Sequence, residues 1–513
     1  MIEARRKSSV INKEELLKLI KTPVINSTTF GTRHVQIILI FLLSVMTYVI
    51  RISMSVIIVA MTDPTSNRNK EIPVYNWTDK SLVVTSFVWG YMIPQIVAGY
   101  LATNFGAKWF LAGSVIISSS LGLLIPVTAA ILGSKGVMGL RLLQGISQGC
   151  FYPSIHAFLS KWVPVGERSR LGTLPYVGAP IGTVSSMLLT GWIASGAYGW
   201  PMAVYVFSGI GLTVGLAFTY FGSDEPNKHR TITEEERVYI NSNLTTSNSN
   251  EETKNIPVPW LDIFTSLPFW ALLVAQIGWC WSNWTLLLET PIYMNHVMKF
   301  NLKSNSVLSS LPYIAEAVSA IGYSVIADYL IVKNICSIGK TRKIMNFIGM
   351  VIPGIALVAL AFCDSDDAYK AVTLLVAIGL FASATRSGYN VNLIDLAPNF
   401  AGILMGICNG TGAAVASLGP LVIHLLVKDE NDPNQWKMIF YISAAMSIVS
   451  FIFNCSFTSG SIQPWNEGSK KYRGKSIYLI VSIESILSIQ HTSQHRKYFL
   501  SVMLKGWNIK TYG

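Results

Sequence analysis

Charged side chains are scarce in this sequence: Asp, Glu, Lys and Arg make up 13% of its 513 residues, about half the share in soluble domains. That deficit excludes an ordinary water-soluble protein. Acid is scarcer than base, 27 Asp plus Glu against 39 Lys plus Arg, a net charge of +12. Much of the excess sits in the two ends, at Arg5, Arg6, Lys7, Lys13, Lys18 and Lys21, and again at Lys470, Lys471, Arg473, Lys475, Arg496, Lys497, Lys505 and Lys510. Basic flanks of this kind mark cytosolic ends. Because no base is interleaved with a soluble fold, nucleic acid is not an expected partner. The six cysteines, Cys150, Cys280, Cys336, Cys363, Cys408 and Cys455, lack metal-site spacing and mostly fall inside apolar runs, so they read as small packing residues and no bound metal is expected. No nucleophile elbow, phosphate-cradling loop or HExxH helix occurs, and no soluble stretch is large enough to hold an ATPase. An enzyme and an ATP-driven pump are both excluded, and no cofactor is expected. Nor is a cleavable leader legible, since about thirty polar residues precede a first apolar run of full span length. That run is expected to persist as a helix.

What the sequence has in quantity is apolar length. Hydrophobic residues make up 51% and the mean hydropathy is +0.44, so apolar segments recur along the whole chain. Crossing the hydrocarbon core takes roughly 20 apolar residues in a helix, the form that satisfies its own backbone. On that rule the spans fall near 35–61, 81–102, 108–128, 137–160, 172–194, 201–222, 268–290, 307–327, 343–363, 370–392, 400–426 and 437–457. The fold class expected is an all-α membrane protein. A polar stretch from Gly222 to Trp260 separates six spans from six, so the organisation expected is a cytosolic tail (1–34), a six-helix bundle (35–222), a cytosolic central loop (223–267), a second bundle (268–457) and a cytosolic tail (458–513). An even count puts both termini on one side, and the basic N-terminus makes that side the cytosol. Lys161, Arg168, Arg170, Lys333, Lys340, Arg342 and Lys343 then fall inside, as the rule requires.

The halves echo each other at GYLATNFGAKW (Gly99 to Trp109) and SVIADYLIVKNICSIGKTRK (Ser324 to Lys343), each a small residue followed by a basic cytosolic turn. Duplicated six-span halves with a midplane site between them are the arrangement of the major facilitator fold. Of five sequons, at Asn26, Asn76, Asn243, Asn283 and Asn409, topology leaves Asn76 as the glycosylation candidate. In the tail, SIYLIVSIESILSI is too short and interrupted to span, and reads as cytosolic chain or an amphipathic surface helix.

A charge inside a span is costly and therefore a functional candidate. The set is Arg51, Arg141, His156, Glu289, Glu316, Arg386 and Asp395. Arg51 and Arg141 belong to the first and fourth spans, roughly 15 Å and 6 Å from their outer ends at ~1.5 Å per residue. Facing one cavity, two guanidiniums would bind an anion bidentately. The competing reading neutralises each through Glu289, Asp395 or backbone carbonyls, or lets it snorkel outward. Gln148, seven residues after Arg141, lies on nearly the same helix face and is placed to assist binding. Asn390 and Asn392 can donate to anion oxygens, or else bond between helices. His156, Glu289, Arg386 and Asp395 are candidates for coupling or gating. For His156 packing competes, for Glu289 interfacial exposure, and for Asp395 a helix-end contact.

Several stretches, RISMSVIIVAM (51–61), SFVWGYMIPQIVAGYLATNFGAKW (86–109), RLLQGISQGCFYPSIHAFLSKWVPVGERSRL (141–171), IADYLIVKN (326–334), GYNVNLIDLAPNFAGILMGICNG (388–410), QWKMIFYISAA (435–445) and SGSIQPWN (459–466), occur in an order that resembles the anion transporter family of sialin, the vesicular glutamate transporters and the type I sodium-phosphate cotransporters. The likeness is strongest to the insect members labelled inorganic phosphate cotransporters. It implies the major facilitator fold, with twelve transmembrane helices in two pseudo-repeats, and anion binding by residues matching Arg51 and Arg141. Departures accompany it. Gln148 stands where proton-coupled relatives have Glu, Val84 where glutamate transporters have His, and Ser282 where they have Arg, which speaks against vesicular glutamate transport and sialin-like proton coupling. The seventh span is about three residues short between Trp284 and Pro291, and Arg386 replaces a neutral residue.

The function expected is therefore secondary active symport of inorganic phosphate or a small organic anion, coupled to Na⁺ or H⁺, by a monomer in the plasma membrane. The alternatives are a transport-inactive receptor or scaffold, an anion channel, and a vesicular or lysosomal organic anion carrier.

Overall fold

The computed structural model describes residues 30–62, 72–244, 256–296, 298, 302–363, 367–428 and 432–468, and every regular element among them is a helix. The basic N-terminal cluster and the SIYLIVSIESILSI stretch lie outside the described residues. Nine of the helices are long and apolar enough to cross a membrane. The second span adds a tenth as a bent pair, Lys80–Met92 and Gln95–Phe105, turned by 46° at Pro94, which has no N–H to continue the ladder. Lys108–Gly149 continues into Phe151–Trp162 and holds two crossings, because Gly133 at φ 62° reverses the chain. The reversal is fixed by pairing about that glycine: Gln144 Nε2 donates to the Ser118 carbonyl at 2.8 Å, and Ser147 Oγ to that of Ser114 at 3.4 Å. With Leu267–His296, 30 residues long, the described helices are consistent with twelve crossings.

The first half is completed by Thr32–Thr62, Arg168–Ala194 and Gly199–Phe221 as first, fifth and sixth spans. In the second half Leu267–His296 is the seventh span, Leu302–Val332 the eighth and Pro433–Phe457 the twelfth. Three spans between them are broken. The ninth runs Ile338–Asn346, a π-helical turn Phe347–Val351, then Ile352–Leu360. The tenth runs Ala368–Ala382, a 3₁₀ turn Ser383–Arg386, then Tyr389–Leu396. The eleventh is split into Ala401–Ala416 and Gly419–Leu426. The irregular turns of the ninth and tenth face each other, since a Cβ on Gly349 would come within 2.7 Å of the Thr385 amide. Asn346 Oδ1 accepts from the Tyr389 amide at 2.8 Å and restores a bond that the break removes. Irregular turns of this kind inside membrane helices are tolerated where protein surrounds them, and they recur at functional sites.

The halves meet at the end of the bundle that holds the turns after the second and eighth spans. The inner part of the second span packs on the eleventh so closely that a Cβ at Gly99 would stand 2.4 Å from the Gly402 carbonyl oxygen. Inside the inner ends, Arg168 Nη1 donates to Asp395 Oδ1 at 2.7 Å and Arg342 Nε to Asp395 Oδ2 at 2.8 Å. Asp328 accepts from the Ser169 and Arg170 amides, both at 2.8 Å. Each set joins the start of the fifth span, in one half, to the other half. Arg33 at the start of the first span pairs with Glu167 at 2.7 Å and with Glu236 at 2.9 Å, which ties the loop helix Glu234–Asn243 to the bundle. Burial alone would raise the Glu236 carboxyl, but the Arg33 and Thr32 amides and the Arg33 guanidinium hold it below the usual carboxylate range.

Candidate functional site

Between the halves lies a cavity of about 580 Å³. Its walls take Tyr48, Arg51, Tyr91, Tyr152 and Tyr176 from the first half, and Trp279, Asn283, Arg386, Asn390 and Asn409 from the second. The two arginines that face it therefore come from opposite halves of the chain.

Arg51 is 5% exposed. Its guanidinium carbon lies 4.7 Å from the Tyr48 ring centroid, 5.0 Å from Phe87 and 4.6 Å from Tyr91, an aromatic cage that stabilises the cation without taking up its donors. Tyr48 falls there because three residues separate neighbours on one helix face. Nε donates to Gln148 Oε1 at 3.3 Å, while Nη2 has no hydrogen-bond partner among the described residues. Gln148 in turn donates to Ser118 Oγ at 3.2 Å and is fully buried, so it orients Arg51 from behind and does not line the cavity.

Arg141 is placed elsewhere. It lines a separate pocket of about 280 Å³ inside the first half, with Ser53, Gly122, Gln144 and Ser208. Nη2 donates to the Arg51 carbonyl oxygen at 3.2 Å, Nη1 to Gln144 Oε1 at 3.1 Å, and its guanidinium sits 4.7 Å from the Phe87 ring that Arg51 also faces. The two arginines are neighbours across one ring, but they do not share a cavity. Among the described residues no carboxylate pairs with either.

Arg386 takes the place opposite Arg51. Nη2 donates to Glu316 Oε1 at 3.1 Å, and the guanidinium lies 4.3 Å from the Trp279 ring and 5.5 Å from that of Tyr176. Asn390 reaches the cavity. Asn392 points away from it, donating to the Ser459 carbonyl at 3.2 Å. There the SGSIQPWN segment tucks under the tenth and eleventh spans, with Gln463 N donating to the Leu396 carbonyl and Asn399 N to Asn466 Oδ1. His156 is fully buried, edge-on to Tyr176 at 5.9 Å. Asp395 stands in the cluster with Arg168 and Arg342 and not in the cavity. The side chain of Glu289 lies outside the described residues. Asn76 is exposed in the loop before the second span, next to Tyr75 and Trp77, which stack at 4.9 Å.

Sequence reasoning passed over the four tyrosines, Asn283 and Asn409. Asn409 Nδ2 donates to Tyr91 Oη at 2.8 Å and to Gln95 Oε1 at 3.2 Å, linking the halves at the cavity floor. The available signal was polarity inside a span: Asn283 and Asn409 are amides within apolar runs, and were read there only as sequons.

Electrostatically the cavity favours anions. Arg51 carries a charge that nothing in the described wall neutralises, Arg141 adds a second behind Phe87, and the remaining polar groups are phenols and amides that can donate to oxygen.

Comparison with known proteins gives a consistent result. A family model described as Major Facilitator Superfamily matches residues 37–420. The chain is 37% identical over 462 residues to a Drosophila melanogaster protein named "Putative inorganic phosphate cotransporter", covering 85% of this chain and 87% of that one. It is 34% identical to human sialin over 459 residues (85% and 91%), and 33% identical to human vesicular glutamate transporter 2 over 455 residues (87% and 77%). The crystal structure of the fucose:proton symporter of E. coli superposes with a TM-score of 0.58 at 13% identity, covering 83% of this chain and 100% of that one. That likeness speaks to the fold alone.

Proposed function

Because the chain belongs to the Major Facilitator Superfamily, and within it to the transporter family of sialin, the vesicular glutamate transporters and the insect phosphate cotransporters, we propose that it is a secondary carrier that moves inorganic phosphate or a small organic anion by alternating access. It is a multi-pass membrane protein and not an enzyme. The observation that carries the reading is the pair Arg51 and Arg386, contributed by opposite halves to one cavity. An anion held between them touches both halves, and so can favour their closing together. At one end, which we take as the cytosolic one, the Asp395 and Asp328 clusters and the Gly99 to Gly402 contact join the halves, which supports a gate on that side. Gln148, Asn390 and Asn409 position the arginines or donate to the anion. The driving ion is Na⁺ or H⁺.

Uptake of labelled phosphate and of small carboxylates into proteoliposomes, with sodium and proton gradients imposed separately, tests the reading. Saturable uptake that accumulates anion under one gradient is the expected result. Ligand binding without flux would make the chain a receptor instead, and currents far above carrier turnover would make it a channel. We place the protein in the plasma membrane, with its outer loop exposed to the secretory lumen during synthesis. Asn76 should then carry a glycan: glycosidase digestion should sharpen the electrophoretic band of the wild type and leave Asn76→Gln unchanged. An identical digestion response in the variant would overturn that assignment.

A further inference from the structure

The ion pair between Glu316 and Arg386 lies between two cavities. Arg386 faces the central one. Glu316 lines a second, of about 840 Å³, walled by Met187, Pro312, Tyr313, Met350 and Pro353, and sharing Trp279 and Asn283 with the first. Both partners are buried, Glu316 at 8% and Arg386 at 7% exposed, and the contact is a single 3.1 Å hydrogen bond to one carboxylate oxygen. The charged and titratable groups facing Glu316 are few among the described residues. Arg386 comes from the tenth span and the Tyr313 phenol from the eighth itself, while the fifth contributes Met187. The seventh contributes Trp279, Ser282 and Asn283, and the ninth Gly349, Met350 and Pro353, none of which titrates as a charge there. Arg386 is thus the one cation against this carboxylate among the described residues.

We propose that Glu316 is the proton-binding residue that couples anion transport to a proton gradient, with Arg386 as the group it releases. The proposal rests on the reading that Arg51 and Arg386 hold the anion. An oxygen of the incoming anion takes the Arg386 Nη2 hydrogen bond that Glu316 Oε1 now accepts. A carboxylate left in that pocket without its cation is strongly disfavoured, and a proton from the solution on the open side, added to a Glu316 oxygen, removes the penalty. Binding of anion and proton is thereby linked, each favouring the other. The charges balance. Arg51, Arg386 and ionised Glu316 sum to a formal charge of +1 at rest, and with a monovalent anion bound and Glu316 protonated the sum is again +1. The carrier therefore reorients with the same charge loaded or empty, and one proton travels with each monovalent anion. The fourth-span carboxylate of proton-coupled relatives, absent here at Gln148, is not needed for this cycle.

The test compares wild type with Glu316→Gln in proteoliposomes, using labelled inorganic phosphate and labelled lactate as probes. For the wild type, an imposed gradient of one pH unit should accumulate lactate about tenfold, and its KM should rise by up to about tenfold per pH unit on the alkaline side. In Glu316→Gln both the accumulation of lactate and the slope of its KM against pH should vanish, and phosphate should keep only the pH dependence of its own ionisation. A merely structural role for Glu316 would raise KM at every pH and leave the slope intact, and that result overturns the proposal. Should the variant not reconstitute, proton entry in the wild type decides: a pH dye trapped in the vesicles should report one proton per lactate, and accumulation driven by sodium with no proton movement overturns the inference while leaving the anion carrier standing. Absence of downhill flux of either anion in the wild type would instead sink the carrier reading itself.

Discussion

Replacing Arg51 with alanine is expected to lower kcat/KM for anion uptake by at least about a hundredfold. The guanidinium presents an unpaired Nη2 inside a cavity with no other free cation among its described lining. Two charge-assisted hydrogen bonds to an anion contribute about 1.5–3 kcal/mol each in such a site, and ~1.4 kcal/mol is a factor of ten. Arg51→Lys keeps the charge but loses the planar fork and its stacking on Tyr48, Phe87 and Tyr91, so a smaller loss of roughly tenfold is expected. The informative contrast is Arg141→Gln. Arg141 faces the separate pocket and touches the site through the Arg51 carbonyl and the shared Phe87 ring, so its loss should cost less than Arg51→Ala, mainly by letting Arg51 shift. Initial rates in proteoliposomes, normalised to monodisperse protein, give the comparison. If the Arg141 variant proves the more damaging of the two, the assignment of the central cavity as the binding site is wrong.

These two arginines also show which part of the site the sequence made legible. Depth in the membrane was readable, because span ends follow from apolar length and a residue's height from its distance to them. Arg51, Arg141, Arg386 and Asp395 were all identified as charges within spans for that reason. Direction around each helix was not readable, because it depends on which neighbours pack against which face. Arg141 therefore turns into its own half, and Arg386 of the tenth span takes the position opposite Arg51. Gln148 illustrates the same limit. A spacing of seven does put it on the Arg141 face, but the two stand about two turns, roughly 10 Å, apart. Its partner is Arg51, on another helix. The break in the tenth span at Ser383–Arg386 was equally illegible, since it contains no proline and Asn346 supports the turn only through tertiary contact. The bend at Pro94, by contrast, lies in the sequence itself.

The second large effect is expected at the opposite end of the pathway, at Asp395. Its carboxylate is 2% exposed, and it binds Arg168 of the first half and Arg342 of the second through separate oxygens. Arg342 Nη1 also donates to Ser169 Oγ and to the Ser387 carbonyl, both at 2.8 Å, so the carboxylate is the centre of a small network that spans the two halves. Removing one member of a buried ionic cluster leaves the others uncompensated, at about 3–5 kcal/mol. In the closed cytosolic face Asp395→Ala buries two arginines against each other, whereas opening that face returns them to water. The variant should therefore favour the inward-open state by a factor on the order of 10² or more. A cysteine at Val177, which packs between the fifth and eighth spans against Ala317 and Ala320, provides the measurement. Its modification by an impermeant maleimide from the cytosolic side should accelerate by about that factor when Asp395→Ala is added. Anion KM measured from the outside should rise, because binding must now draw the carrier back from its preferred state. Modification at the wild-type rate would show that the close glycine packing of Gly99 against Gly402 holds the face shut, with Asp395 only satisfying charges that the closure happens to bury.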